Sequence, residues 1–124
     1  MTVAVKSDAM LRLRLHDVWK DGDYANSVED LFNLLAERDP MANISHRSMP
    51  TLAQHSRFVA SRPYQAWYLL KIGIDSVGAV YLTKADEIGI FIFKAHQGRG
   101  YGSAAVKMLM ARHPRPRFLW NVNP

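Results

Sequence analysis

Apolar and polar residues change their spacing several times along this chain, and each change marks a new element. Met10-Leu11-Arg12-Leu13-Arg14-Leu15 alternates with period two, which predicts a strand with one buried face. Residues 1–9 read as a loose leader before it, and His16 to Asp23 as a polar loop. Val28, Leu31, Leu34 and Leu35 then fall at helical spacing, with Phe32 beside them. Ser27 reads as the N-cap of that helix, with Asp30 as a weak capping-box partner, and the helix must end before Pro40. Asp39 to Pro50 is a connecting loop. Thr51 caps a second helix over Leu52–Ser61, whose Leu52, His55, Phe58 and Val59 share a face. His55 reads as a half-buried packing residue of that face, with contact to a substrate as the alternative.

Beyond Pro63 the pattern becomes strand-like. Tyr64–Ile72, Val77–Thr83 and Glu87–Lys94 are short runs rich in aromatic and β-branched residues. The turns Gly73–Ser76 and Lys84-Ala85-Asp86 separate them, so the three predict an antiparallel meander. After it comes His96-Gln97-Gly98-Arg99-Gly100-Tyr101-Gly102, and then Ser103–Arg112 with no helix breaker before Pro114. Phe118-Leu119-Trp120 is a final apolar run. The order is strand, glycine-rich turn, helix, strand, which places the last strand parallel to Glu87–Lys94.

The first N–H groups of a helix have no partners within it and carry partial positive charge. Glycines there let an anion approach the backbone, and a phosphate or pyrophosphate is the natural guest. The distribution of charge points the same way. All eleven acidic residues fall at or before Glu87, whereas Lys94, Arg99, Lys107, Arg112, Arg115 and Arg117 follow it. The turn lacks the Gly-Lys-Ser/Thr of a nucleoside-triphosphate loop. Its third glycine also comes one position early for a dinucleotide fingerprint.

Composition narrows the class. The 124 residues suit one domain, and 48% apolar with 22% charged residues is ordinary for a globular chain. No apolar run approaches the ~20 residues of a membrane span. The N-terminus has no signal-peptide core, and without cysteine there is no thiol nucleophile and no cysteine–zinc site. The five histidines lack the spacing of a helical metal site, so no metal is expected. A cytoplasmic location fits. The basic C-terminal part alone is thin support for nucleic-acid binding, since no recognition motif accompanies it.

Gln97-x-x-Gly100-x-Gly102 resembles the Gln/Arg-x-x-Gly-x-Gly/Ala signature of the GNAT acyltransferase superfamily. Glu87-Ile88-Gly89-Ile90-Phe91-Ile92 running into Gly98-Arg99-Gly100-Tyr101-Gly102 looks like the branch with ribosomal-protein and amino-sugar N-acetyltransferases. The resemblance covers most of the chain and implies a single GNAT-like α/β (α+β) domain over residues 1–124. Its mixed, mostly antiparallel sheet would carry helices on both faces. It further implies acetyl transfer from acetyl-CoA to a primary amine of a small molecule or a protein N-terminus. Gln97, Gly98, Arg99, Gly100, Tyr101, Gly102 and Ser103 would hold the coenzyme's pyrophosphate end. Ile90, Phe91 and Ile92 would offer backbone groups to the pantetheine amides, and one N–H could polarise the thioester. Residues 39–50 would lie beside the acceptor.

For the base, the resemblance points to Glu87, with a solvated strand-end carboxylate as the bland alternative. Asn121 stands where some relatives carry a second glutamate, and an amide is no base. His96 is a lesser candidate, because Lys94 and Arg99 discourage its protonation. The family continues past Asn121-Val122-Asn123-Pro124 with a helix and two more strands. A coenzyme-contacting asparagine and a thiolate-protonating tyrosine belong to that part. A coenzyme-binding or interaction module without turnover is therefore the alternative function. The apolar edge at residues 118–122 leads to an expectation of self-association, as a homodimer.

Overall fold

Turn chemistry and strand alternation build a five-stranded sheet with helices on both of its faces. The computed structural model describes residues 12–38 and 49–120. The elements run β1 (Arg14–Asp17), α1 (Tyr24–Arg38), α2 (Leu52–Ala60), β2 (Ala66–Ile72), β3 (Asp75–Leu82), β4 (Glu87–Ile92), α3 (Tyr101–Arg112) and β5 (Leu119–Trp120). Strands lie in the sheet in chain order. All neighbours are antiparallel except β4 and β5, which are parallel and joined through α3. This is the mixed, mostly antiparallel arrangement expected of a GNAT-like α+β fold.

Parity along the strands sorts the core into two halves. Trp67, Leu69 and Ala79 face Val28, Leu31 and Leu34 of α1 and Val59 of α2. Tyr68, Leu70, Val80, Leu82 and Ile88 face Tyr101, Ala105, Val106 and Leu109 of α3. Leu69, Leu70, Leu82 and Leu109 are fully buried. Truncating such a leucine to alanine costs about 2–5 kcal/mol. One irregularity interrupts the parity. Leu70 pairs with Gly78 and Lys71 with Ser76, so Val77 is an extra residue in β3. The bulge lets Val77 join the α3-side core.

Local chemistry explains the ends of the elements. At the β3–β4 turn, Thr83 Oγ1 accepts from the N–H groups of Ala85 (3.3 Å) and Glu87 (3.0 Å). Thr51 caps α2 as expected. Its hydroxyl accepts from the Gln54 N–H at 3.1 Å, and the Gln54 side chain accepts from the Thr51 N–H at 2.9 Å.

Two expectations need correction. The first strand runs on through His16 and Asp17, which read as loop from their polarity. Asp17 ends it by gathering the N–H groups of Trp19 (2.9 Å) and Lys20 (3.0 Å) on one carboxylate oxygen. Helix α1 begins at Tyr24, so Ser27 lies inside it and is buried rather than capping. The Ser27 N–H already donates to the Asp23 carbonyl at 2.9 Å. Gly22 and Asp23, with φ of 84° and 51°, turn the chain into the helix four residues earlier. Met10, Leu11, most of the 39–50 loop and Asn121 to Pro124 lie outside the described residues.

Candidate functional site

The glycine-rich turn follows directly from the end of β4. Lys94–His96 makes one 3-10 turn, closed by the Gln97 N–H on the Lys94 carbonyl at 3.3 Å. The Gln97 side-chain amide reaches back and donates to the Ile92 carbonyl at 3.0 Å. Gly98 and Gly100 then take φ of 79° and 82°, a left-handed conformation costing other residues roughly 1–2 kcal/mol. Gly100 stands at the N-cap of α3 and provides no side-chain cap. The first helical bond runs from the Ala104 N–H to the Gly100 carbonyl at 3.1 Å. The N–H groups of Tyr101, Gly102 and Ser103 therefore lack helical partners. Gly98, Arg99, Gly100 and Ser103 are exposed, whereas the Tyr101 side chain is buried in the α3-side core.

Gly102 sits where α3 meets β4. A Cβ there would lie 3.7 Å from Ile90 and 3.8 Å from Ile92, an ordinary contact. Two bonds fix the pairing phase of β4. Thr83 N–H donates to Glu87 at 2.8 Å, and Phe93 N–H donates to Val77 at 2.9 Å. By the alternation of an antiparallel ladder, Phe91 turns its N–H and C=O to β3, where Ala79 is its partner. Ile90 and Ile92 turn theirs to the other edge. The described part of β5 lies opposite Glu87 and Ile88 only. Strand edge and glycine turn are thus continuous, with Gln97 bonded to the Ile92 carbonyl where they meet.

Glu87 lies at the far end of the same strand, roughly 17 Å from Ile92 at a rise of ~3.4 Å per residue. Its carboxylate is 3.4 Å from the Thr83 hydroxyl. His96 is half-buried beside the turn, 6.5 Å from the Tyr101 ring, and its Nδ1 has no partner among the described residues.

Sequence reasoning did not find a cavity of ≈ 350 Å³ between α1, α2 and the sheet. Leu31 and Leu34 wall it on one side and His55 and Phe58 on the other. Its floor holds Trp67, Tyr81 and Phe91. Tyr64 also lines it and stacks on Tyr81, with ring centroids 4.2 Å apart and planes 9° from parallel. Burial pushes the Tyr64 phenol up to about 12, with Tyr81 adding to the shift and Arg38 opposing it. Arg38 lies over the Phe91 ring at 4.3 Å. Gly89 makes room for this arrangement, since the Tyr81 ring occupies the space a Cβ would need. The available signal was parity: Trp67, Tyr81, Gly89 and Phe91 all project to the α1–α2 side.

An acetyltransferase from Thermus thermophilus has a similar structure. The TM-score is 0.61 at 23% identity, over 83% of this chain and 70% of that one. The two share a fold. An integron cassette protein from the mobile metagenome of Cole Harbour Salt Marsh matches with a TM-score of 0.56 at 15% identity, over 92% and 79%. No protein-family model and no curated protein matches the chain. Among the described residues no group of three or more His, Cys, Asp or Glu could hold a metal. No helix among them is long and apolar enough to cross a membrane.

Proposed function

We propose that this protein moves an acetyl group from acetyl-CoA to a primary amine of a small molecule or a protein N-terminus. One observation carries the reading. Three N–H groups without helical partners stand behind two left-handed glycines and adjoin the β4 edge, to which Ile90 and Ile92 turn their backbone groups. The turn suits a pyrophosphate, and the edge at Ile90 and Ile92 suits the amides of a pantetheine arm. The shared fold with an acetyltransferase supports this reading.

Acetyl-CoA, when bound, supplies the activated acyl carbon. Gln97, Gly98, Arg99, Gly100, Tyr101, Gly102 and Ser103 form the phosphate end of its site. Arg99 contributes charge, Tyr101 anchors the helix in the core, and the Gln97 amide holds the turn to β4. Ile90 and Ile92 orient the arm through their backbone, while the Phe91 side chain faces the cavity behind. Transfer forms an N–C bond and breaks the C–S bond, and the amine loses one proton. Glu87 is the carboxylate on this strand that takes that proton, through water given its distance. A binding module without turnover is the second reading. The position of Glu87 at the far end of β4, beside Thr83, favours it.

Calorimetry with CoA tests the site. Gly100→Asp places a Cβ and a negative charge at the N-cap and should abolish binding. Undiminished affinity in that variant would overturn the reading. Glu87→Gln should leave CoA affinity unchanged and lower kcat at least about tenfold, within the range of general base catalysis. An amine panel with acetyl-CoA that yields no product from a CoA-binding protein would establish the module instead.

A further inference from the structure

Five aromatic side chains line the cavity between α1, α2 and the sheet: Phe58, Tyr64, Trp67, Tyr81 and Phe91. The Trp67 ring meets those of Tyr64 and Phe58 edge-on, with centroids 4.8 Å and 6.1 Å apart, so the rings hold one another in a box. The ≈ 350 Å³ of the cavity lies at the small end of ligand sites, which run to about 1,000 Å³. That volume suits one small ring system better than a peptide. Aromatic walls favour a flat aromatic body.

Two polar groups say what the ring carries. Among the described residues no carboxylate lines the cavity, and its one formal charge is Arg38. Arg38 makes no ion pair among those residues. Glu37, next to it in α1, is committed elsewhere and accepts the Lys94 backbone N–H at 2.5 Å. The Arg38 guanidinium stacks over the Phe91 ring, 4.3 Å from its centroid. A stacked guanidinium keeps its N–H donors in its own plane, where a carboxylate binds edge-on. Tyr64 also lines the cavity; burial keeps its phenol protonated, and the phenol feels the Arg38 charge. Both residues are half-buried, so a guest arriving from solvent can meet them. An ammonium group would instead enter without a counter-ion and beside a guanidinium, at a desolvation cost.

We propose that this cavity is a binding site for a small aromatic carboxylate, with the ring among Phe58, Trp67 and Phe91 and the carboxylate on Arg38 and the Tyr64 hydroxyl. The site is separate from the glycine turn and does not rest on the acyl-transfer reading. Phe91 lies between the two, since its side chain floors the cavity from the strand whose end leads into the turn.

Indole-3-acetate, 3-methylindole and tryptamine are the probes: one ring system carrying a carboxylate, no charge or an ammonium. Each is titrated into the full chain without CoA and followed by protein NMR. Indole-3-acetate should bind about tenfold more tightly than 3-methylindole, as expected of one charge-assisted hydrogen bond. Tryptamine should bind most weakly. The amide signals of Trp67, Ala79 and Phe91 should move, and those of Gly98 and Gly100 should not. Arg38→Gln should bring indole-3-acetate down to the affinity of 3-methylindole. Tyr64→Phe keeps the ring stack and should cost indole-3-acetate about threefold, which tests the site even if Arg38→Gln does not fold. Equal affinities of the three probes, tighter binding of tryptamine, or no binding at all would overturn the proposal. So would shifts confined to the glycine turn, or a carboxylate preference that survives in a folded Arg38→Gln protein.

Discussion

Two histidines are held neutral by their surroundings. His55 is lowered by burial, against the opposing pull of the Val28 carbonyl. His113 is lowered by burial, then by Arg115 and Arg112. The Tyr68 hydroxyl lies 2.6 Å from His113 Nε2, which suits donation to a neutral ring. Above the ordinary value near 6.5 both folded and unfolded chains carry neutral imidazoles, and neither group affects stability. Below it the unfolded chain binds protons that the folded chain resists, so stability falls as pH drops through the folded values. Urea midpoints should accordingly be lower at pH 5.5 than at pH 7.5. His113→Gln should narrow the gap, because the amide cannot take up the proton. An unchanged gap in that variant would show that His113 carries none of the pH dependence.

Glycine acts differently in each element, and β4 and α3 show the contrast. At Gly89 a Cβ would fall on the Tyr81 ring. Gly89→Ala must push Tyr81 off its stack on Tyr64, and overpacking of that kind costs about 1–3 kcal/mol. At Gly102 the nearest atoms are 3.7 Å away, so Gly102→Ala should range from neutral to about 1 kcal/mol stabilising, through helix propensity. Thermal melts of the two variants check this, and a Gly102→Ala protein as damaged as Gly89→Ala would refute the packing argument. The contrast also marks what the sequence could reveal. β2, β3 and β4 were legible because short runs rich in aromatic and β-branched residues stand between turn residues. The glycine turn was legible because Gly98 and Gly100 adjoin a helix that begins without a side-chain cap. The start of α1 was misread, because Ser27 has the chemistry of a cap while the turn at Gly22 and Asp23 depends on backbone angles. The cavity stayed hidden, because its rings come from residues 58 to 91 and meet only through packing between elements.

The sheet divides the molecule into two chemical environments. The glycine turn lies in the acid-free part of the chain, where Lys94, Arg99 and Lys107 are exposed. Arg115 contributes less there, because it is paired with Asp86 at 2.9 Å. On the other side, the cavity offers rings, aliphatic walls and a neutral imidazole. Screening shortens from about 10 Å at 0.1 M salt to about 3 Å at 1 M, which is shorter than the spacing of exposed charges around a pyrophosphate. Raising NaCl across that range should weaken CoA binding at least tenfold in calorimetry. A CoA affinity that ignores salt would mean that backbone N–H groups alone hold the anion and that the exposed cations are bystanders.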